Sequence, residues 1–171
     1  MKRLAILRHA KSSWGDPSLD DFDRPLNDRG REAAKAMGRE FTRRGLHFDL
    51  VVASTAVRVR ETLDDLRKTF DLDAPARFEQ QVYLAGEELL EEIVRALPDT
   101  ANTVLLVGHN PGLERLIVEL SRDDDRHLRD QVATKFPTAG FALIELPIDR
   151  WETVESGSGE IADLILPREL D

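Results

Sequence analysis

The sequence predicts a single α/β domain in which a mostly parallel sheet is covered by helices on both faces. Short runs rich in Val, Ile and Leu recur along the chain, and segments with helical periodicity lie between them. Such runs are typical of strands buried on both sides, and helices between them act as right-handed crossovers. Because there is no internal repeat and no linker-like stretch, we expect one domain over residues 1–171.

Six segments are predicted as strands, and four helices are predicted between them from apolar residues at helical spacing. The strands cover residues 3–8, 50–53, 76–78, 103–107, 141–146 and 151–155. The first helix runs from an Asn27 cap to Arg44 and stops at Gly45, and the second starts after Ser54 or Thr55. The third presents Leu89, Leu90, Ile93, Val94 and Leu97 on its inner face, and the fourth begins with an Asn110 cap and Pro111 as its first residue.

Two segments interrupt this alternation. Residues 10–26 form a long loop with four aspartates and Trp14, and long loops in compact domains are often functional lids. Residues 121–138 are predicted to be a solvent-exposed excursion. Its acidic run, residues 123–125, is flanked by Arg122, Arg126 and Arg129, which favours a charged surface turn over a cation site.

Charge and composition exclude several classes of function. The chain carries 24 Lys and Arg against 33 Asp and Glu, a net charge of −9, which is the wrong sign for a nucleic-acid or membrane-surface partner. It has no Cys, so disulfides, thiolate metal sites and a cysteine nucleophile are excluded. Only four apolar residues follow Lys2-Arg3, too few for a signal peptide, and no run approaches the roughly 20 residues of a membrane span. We therefore expect a cytoplasmic protein.

Three of the predicted strands deliver a histidine or an arginine to one edge of the sheet. Arg8 and His9 end the first strand, and His109 follows the fourth strand at the mouth of a helix. Arg58 lies in the first turn of its helix, an unfavourable place for a cation unless an anion binds nearby, whereas Arg60 is expected on the surface. Each feature alone is equally typical of an ordinary strand end or turn. Together they predict an anion site, because ligands of open α/β sheets bind beyond the carboxyl ends of the strands.

The ordered set of motifs resembles the histidine phosphatase superfamily. Leu7-Arg8-His9-Ala10 is similar to its Arg-His-Gly signature, residues 54–62 to its Ser-Pro-x-x-Arg-x-x-Gln-Thr segment, and Gly108-His109 to its second histidine. Residues 24–30 resemble the Arg-Pro-Leu-Thr-x-x-Gly stretch that follows the first motif, and residues 9–14 resemble the SixA-type phosphohistidine phosphatases in particular. The resemblance spans residues 3–120 and implies a phosphoglycerate-mutase-like fold.

The resemblance also implies a role for each of these residues. His9 would be the nucleophile, Arg8 and Arg58 would bind the phosphate, and His109 would be the second phosphate-binding histidine, with Arg24 as a further contact. The implied reaction is a metal-independent phosphoryl transfer through a covalent phosphohistidine. Two guanidiniums and a protonated His109 would supply the positive charge. Neither a metal nor a cofactor is expected.

A general acid is the part of the family pattern that this sequence matches least. Larger relatives that cleave phosphate esters carry an acidic residue after the third strand, where Glu79 is the nearby carboxylate, with Asp16 and Asp20 in the loop as alternatives. An alkoxide leaves poorly without an acid, whereas imidazole, which titrates near pH ~6.5, leaves without strong help. The sequence therefore favours phosphohistidine in proteins as the substrate.

Two other functions stay open on the sequence alone. The same nucleophile could act on a small phosphorylated metabolite, or the same pocket could belong to a non-catalytic module that binds phosphorylated partners. Turnover of a phosphoramidate separates the binding module from both enzymes. His47 and His127 lie outside these motifs and are predicted to be surface residues.

Overall fold

A computed structural model describes residues 1–170, so Asp171, the last residue of the predicted domain, lies outside the described residues. Within residues 1–170 six strands form one sheet in the spatial order β3-β2-β4-β1-β5-β6. They are β1 (Lys2–Arg8), β2 (Leu50–Ala53), β3 (Ala76–Phe78), β4 (Thr103–Gly108), β5 (Phe141–Leu146) and β6 (Glu160–Ile165). The pairs among β1 to β4 are parallel, whereas β5 is antiparallel to both β1 and β6. The predicted α/β fold with a mostly parallel sheet is confirmed.

Helices cover both faces of this sheet, as predicted. The described chain contains α1 (Asp28–Arg44), α2 (Val57–Leu66), α3 (Glu87–Arg95), α4 (Gly112–Leu120) and α5 (Leu128–Thr134). On one face α1 and α2 bury Met37, Phe41 and Leu63 in one apolar core. On the opposite face α3 and α4 bury residues such as Ile93 and Leu116 in a second core. The sheet is therefore buried on both sides, which is why its strands read as continuous apolar runs.

The first helix begins and ends as the sequence predicts. The Asn27 side chain accepts a hydrogen bond of 2.8 Å from the backbone N–H of Gly30. Gly45 takes a left-handed conformation at the other end, with φ of 65°, and its N–H bonds back to the last turn. A residue without a side chain adopts this conformation at no steric cost, so Gly45 ends the helix cleanly.

The prediction of a strand over residues 151–155 is wrong. Trp151–Thr153 form a single 3₁₀ turn, and the sixth strand is β6, nine residues further on. The Trp151 side chain is fully buried, and its indole N–H donates to the carbonyl of Ala101 at 2.9 Å. The aromatic and β-branched residues here anchor a turn into the core, whereas the acidic residues within β6 weaken its strand pattern.

The excursion predicted over residues 121–138 is partly wrong, because it contains α5. Val132 and Phe136 are buried against the core beneath α4, so this segment is half inside the fold. The acidic run in the same segment is a charged turn, as expected: the Asp124 carboxylate pairs with Arg126 at 2.9 Å. Two buried apolar side chains are too few for a helical pattern to be recognised among the surrounding charged residues.

Two helix starts also differ from the prediction. The cap position of α2 is Ala56 rather than Ser54 or Thr55, and that of α4 is Pro111, which the sequence places inside the helix. Asn110 still supports α4, because its side-chain oxygen accepts from the N–H of Glu114 at 3.2 Å. These shifts of one or two residues leave the helix N-termini pointing at the same edge of the sheet.

Candidate active site

Three neighbouring strands end level with one another and place polar side chains at one edge of the sheet. The parallel register pairs Arg8 with Gly108, so His9 and His109 are each the next residue after a matched pair. Ser54 follows β2 on the other side of β4, and its N–H donates to the carbonyl of Val107. The imidazole rings of the two histidines lie 5.2 Å apart between centroids, and both residues are buried. The predicted convergence of strand ends is therefore present, and its side chains, here called the strand-end cluster, are Arg8, His9, Ser54, Arg58 and His109.

The His9 ring is held in one orientation by its own backbone. Its Nδ1 lies 2.7 Å from the carbonyl oxygen of Ala10, an atom that can only accept, so Nδ1 carries the proton. Burial, together with the positive charges of Arg58, Arg8 and Arg24, lowers the pKa of His9 to about 4. The ring is consequently neutral at pH 7, with the lone pair of Nε2 available for attack.

His109 is neutral in this structure, which corrects the expectation of a protonated ring. Arg58 donates to its Nδ1 at 3.3 Å, and its Nε2 lies 2.8 Å from the hydroxyl oxygen of Ser54. Because a guanidinium can only donate, Nδ1 accepts and Nε2–H donates to Ser54. Burial, followed by the neighbouring His9 and Arg58, lowers the pKa of His109 to about 3. The positive charge of the site therefore comes from its arginines.

Arg58 is the arginine at the centre of the cluster. It lies in the first turn of α2 and is only 3% exposed. Its guanidinium donates to the carboxylate of Asp21 at 3.0 Å and to the Asp21 carbonyl at 2.7 Å. Arg60, two residues on, is exposed and donates instead to the carbonyl of Thr55 at 3.1 Å, on the surface as expected. The helix phase predicted for these two arginines is confirmed.

Arg8 and Arg24 contribute two further guanidiniums to the same site. Arg8 donates to the carbonyl of Phe136 at 3.1 Å, and its Nε is buried without a hydrogen-bond partner within residues 1–170. Burial lowers the pKa of Arg8 from its ordinary value. Arg24 reaches in from the loop, where it pairs with Asp21 at 3.2 Å and stacks 3.4 Å beneath the indole of Trp14. Both side chains have donors that are not saturated by the protein.

Thr62 connects the arginine helix to the segment that carries His9. Its hydroxyl donates to the Arg58 carbonyl at 2.6 Å and accepts from the N–H of Ala10 at 2.9 Å. Thr62 belongs to the stretch that resembles the family motif, but its type and spacing alone assign it no contact. It is a positioning residue, because it fixes the turn after His9 without facing the site.

The structure does not bring Glu79 to the histidines. Glu79 follows β3, where its N–H bonds to Ala53 and its carboxylate accepts from the side chain of Gln81 at 2.8 Å. Among the described residues it makes no hydrogen bond or ion pair with His9, His109 or Arg58. Asp16 bonds to Ser18 on the exposed part of the loop, and Asp20 is exposed as well. Within residues 1–170, none of the three acidic residues considered from sequence makes a side-chain hydrogen bond to His9 or His109.

Two site residues are missed by the sequence analysis: Asp21 and Tyr83. The Tyr83 hydroxyl donates to the Asp21 carboxylate at 2.5 Å, and the Tyr83 ring meets the His109 ring edge-on at 5.3 Å. The Tyr83 hydrogen bond, with Arg58 and Arg24, lowers the pKa of the Asp21 carboxyl to about 2. Asp21 is one of four aspartates in the loop, and nothing in the sequence distinguishes it from the others. Tyr83 is the chain's one tyrosine, the only signal that could have singled it out.

The site combines neutral imidazole rings with three guanidiniums and one ionised carboxylate. This arrangement suits a phosphoryl group, whose oxygens need positive charge on several sides during transfer. In the part of the chain that the structure describes, no group of three or more His, Asp or Glu side chains could hold a metal ion. Over the same residues, no helix has both the length and the hydrophobicity needed to cross a membrane.

Comparisons with known proteins agree with this geometry. Residues 4–82 match the model of the histidine phosphatase superfamily, branch 1. An uncharacterized protein of Mycobacterium tuberculosis strain H37Rv is 36% identical over 166 residues, which cover 95% of this chain and 100% of that protein. The candidate phosphohistidine phosphatase SixA of Nakamurella multipartitia has a TM-score of 0.83 at 30% identity, covering 97% of this chain and 96% of its own. The corresponding SixA of Agrobacterium tumefaciens has a TM-score of 0.81 at 28% identity, with 97% and 98% covered.

The chain belongs to the histidine phosphatase superfamily, in its SixA-type group. The phosphoglycerate-mutase-like fold implied by the motifs is confirmed by these structural matches. Membership supports phosphatase activity. The roles of the individual residues and the identity of the substrate have to be inferred from the chemistry of the site.

Proposed function

We propose that this protein is a phosphatase that uses His9 as its nucleophile and removes the phosphoryl group from phosphohistidine in proteins. The observation that carries the proposal is the hydrogen bond from His9 Nδ1 to the Ala10 carbonyl, which leaves Nε2 unprotonated among Arg8, Arg24 and Arg58. A neutral imidazole nitrogen facing guanidiniums is the pairing that phosphoryl transfer to histidine requires.

The reaction then proceeds in two steps. In the first, Nε2 of His9 attacks phosphorus while the bond from phosphorus to the substrate imidazole breaks. The substrate ring already carries a proton on its other nitrogen, so it takes the electrons of the broken bond and leaves as neutral imidazole. In the second, water attacks the phosphorus bound to His9, and inorganic phosphate departs with the Nε2 lone pair restored to the ring. Arg8, Arg24 and Arg58 neutralise the phosphoryl oxygens in both steps, and no metal is required.

The carboxylates around the site support phosphohistidine over alkyl phosphates. A general acid must carry a proton at working pH, yet the pKa of Asp21 is about 2, so this carboxyl is ionised at pH 7. Glu79 is held by Gln81 outside the cluster. Without a positioned acid, substrates whose leaving group needs little protonation are favoured, and imidazole is such a group.

The test is phosphate release from phosphohistidine, phosphoramidate, an aryl phosphate and an alkyl phosphate. We expect kcat/KM to fall in that order, with a gap of about 10² to 10⁴ between the first and the last, the usual contribution of general acid help. EDTA should leave all four rates unchanged. Trapping phosphate on His9 by rapid quench and mass spectrometry checks the covalent step.

Each alternative function has its own outcome in the same assay. Equal rates on alkyl esters and phosphohistidine, with only the ester activity lost in Glu79→Gln, would make Glu79 the acid and favour a metabolite phosphatase. Saturable binding of all four compounds without turnover would favour a phosphoprotein-binding module.

A further inference from the structure

A groove of about 1030 Å³, here called the basic groove, opens on the surface beside Lys11, which is two residues past His9 in the chain. One wall carries Lys11 and Arg29, a second is formed by α5 and residues 135–138, and the third by residues 166–168 after β6. Nothing in the phosphoryl-transfer chemistry uses these residues.

The wall formed by residues 135–138 is bonded directly to the residues that carry the reaction. The N–H of Ala139, which follows this wall, donates to the carbonyls of Arg8 at 3.1 Å and His9 at 3.0 Å. Phe136 is buried behind the lining residues Lys135 and Pro137, and its carbonyl accepts from the Arg8 guanidinium. On the opposite side Lys11 is two residues past His9. A chain segment lying in the basic groove would therefore continue from a residue placed at His9.

The groove concentrates positive charge on an otherwise acidic protein. Among residues 1–170 it is lined by the basic residues Lys11, Arg29, Lys135 and Arg168 and by one acidic residue, Asp130. Lys11, Arg29 and Lys135 are exposed, and none makes an ion pair with another residue within residues 1–170. Because the chain as a whole carries a net charge of −9, an acidic ligand is repelled over most of the surface. The unpaired cations of the groove therefore give an acidic ligand a positively charged surface to bind near His9.

The lining also indicates which class of anion fits. Pro137, Leu166 and Pro167 contribute apolar surface, which a polyphosphate would leave without a partner. Phe, Tyr and Trp are missing from the lining, whereas proteins that bind single-stranded nucleic acids stack bases on such rings. A polypeptide with acidic side chains and an apolar residue can contact both the basic and the apolar lining residues of the groove.

We propose that the basic groove binds an acidic segment of the substrate protein that flanks its phosphorylated histidine. This proposal rests on the function proposed above, because it assumes that the phosphorylated residue sits at His9. It adds a source of selectivity: protein substrates are chosen by the charge of the sequence around the phosphorylated residue, as well as by the leaving group.

The test compares two phosphohistidine peptides of equal length, one with Asp and Glu and one with Lys flanking the phosphorylated residue. We expect the wild type to prefer the acidic peptide about tenfold in kcat/KM at low salt, with the preference shrinking as salt is added. The double variant Arg29→Glu/Lys135→Glu should lose or reverse that preference. The matched control, Arg77→Glu/Arg115→Glu, makes the same change in net charge at exposed arginines elsewhere and should keep it.

Turnover of phosphoramidate should be the same in all three proteins within about twofold, because a small substrate does not reach the groove. A wild type without preference, or a groove variant that keeps it, overturns the proposal.

Fluorescence anisotropy with the unphosphorylated acidic peptide separates failure of this proposal from failure of the proposed function, since it requires no turnover. Binding that the groove variant loses and the control keeps supports the groove even if no phosphohistidine is hydrolysed. Tighter binding of tripolyphosphate or of a short single-stranded DNA at the same residues would overturn the assignment to a polypeptide.

Discussion

The strand-end cluster and the loop over residues 10–26 contribute to the same site in different ways. His9, His109 and Ser54 are buried and held by the register of three parallel strands. The loop lies largely outside, with Trp14 78% exposed, yet it supplies Arg24 and Asp21 to the cluster. The sheet therefore sets where His9 lies, and the loop sets how much charge surrounds it.

The contrast is electrostatic as well as geometric. Burial lowers the pKa values of both histidines, so the strand-end cluster is built from neutral rings. The loop places an ionised carboxylate on Arg58, the most buried of the three guanidiniums. A phosphoryl group must share Arg58 with Asp21 or displace it. Substitutions in the two regions should accordingly differ in both size and sign.

The largest expected effect is at the nucleophile. His9→Ala should lower kcat by about 10³-fold or more, because no neighbouring group can replace the covalent step. Phosphate release and quench trapping measure it, with His47→Ala, an exposed histidine outside the basic groove, as the control. A folded His9→Ala protein that keeps wild-type turnover would show that the strand-end cluster is not the catalytic centre.

Next in size is the arginine of α2. Arg58→Ala should lower kcat/KM by about 10² to 10³, the usual cost of removing one preorganised group that stabilises transition-state charge. Arg60→Ala, on the opposite side of the same helix turn, should change it by no more than about twofold. Equal losses at the two positions would contradict the burial difference between them.

The strand-end cluster and the loop residue Arg24 could be predicted from the sequence, but the second loop partner, Asp21, could not. A buried apolar run that ends in Arg8-His9 predicts both a strand and the edge at which it stops. Arg58 and Arg60 could be assigned to different faces from helical phase alone. By contrast, the contact of Asp21 with Arg58 depends on the path of an irregular loop, which has no periodicity to predict it from.

Tyr83 and the charge of His109 escaped prediction for related reasons. The Tyr83 hydroxyl reaches the site only because the turn after β3 is folded against the loop. The neutral His109 follows from its burial and its bonds to Arg58 and Ser54, which no local pattern shows. Both depend on contacts between segments far apart in the chain.

A smaller effect of opposite sign is expected in the loop. Asp21→Asn removes the negative charge that competes for Arg58, so tungstate or vanadate should inhibit several-fold more tightly than in the wild type. The control is Asp20→Asn, an exposed neighbour without a bond to the arginines. An inhibition constant that rises in Asp21→Asn would mean that Asp21 is needed chiefly to hold Arg58 in position.

The smallest expected effect is on the free energy of unfolding. The pH range in which it appears differs between the strand-end cluster and the loop. The pKa values of His9 and His109 are about 4 and about 3 in the folded protein, against an ordinary value of 6.5. Between pH 6.5 and about 4 the unfolded chain therefore binds protons that the folded chain does not. The free energy of unfolding should then fall as pH falls, by at most roughly 1.4 kcal/mol per pH unit for each ring.

The carboxyl of Asp21 affects stability at lower pH than the histidines do, since the pKa of an unfolded aspartate is ~3.9 and that of Asp21 in the folded protein is about 2. Its stabilising contribution is lost only as pH falls below about 4. In urea unfolding between pH 6.5 and 5, the free energy of unfolding should consequently change less steeply with pH in His109→Gln, whereas Asp21→Asn should keep the wild-type slope. An unchanged slope in His109→Gln would show that His109 is protonated in the folded protein and that the positive charge of the site is shared by this ring.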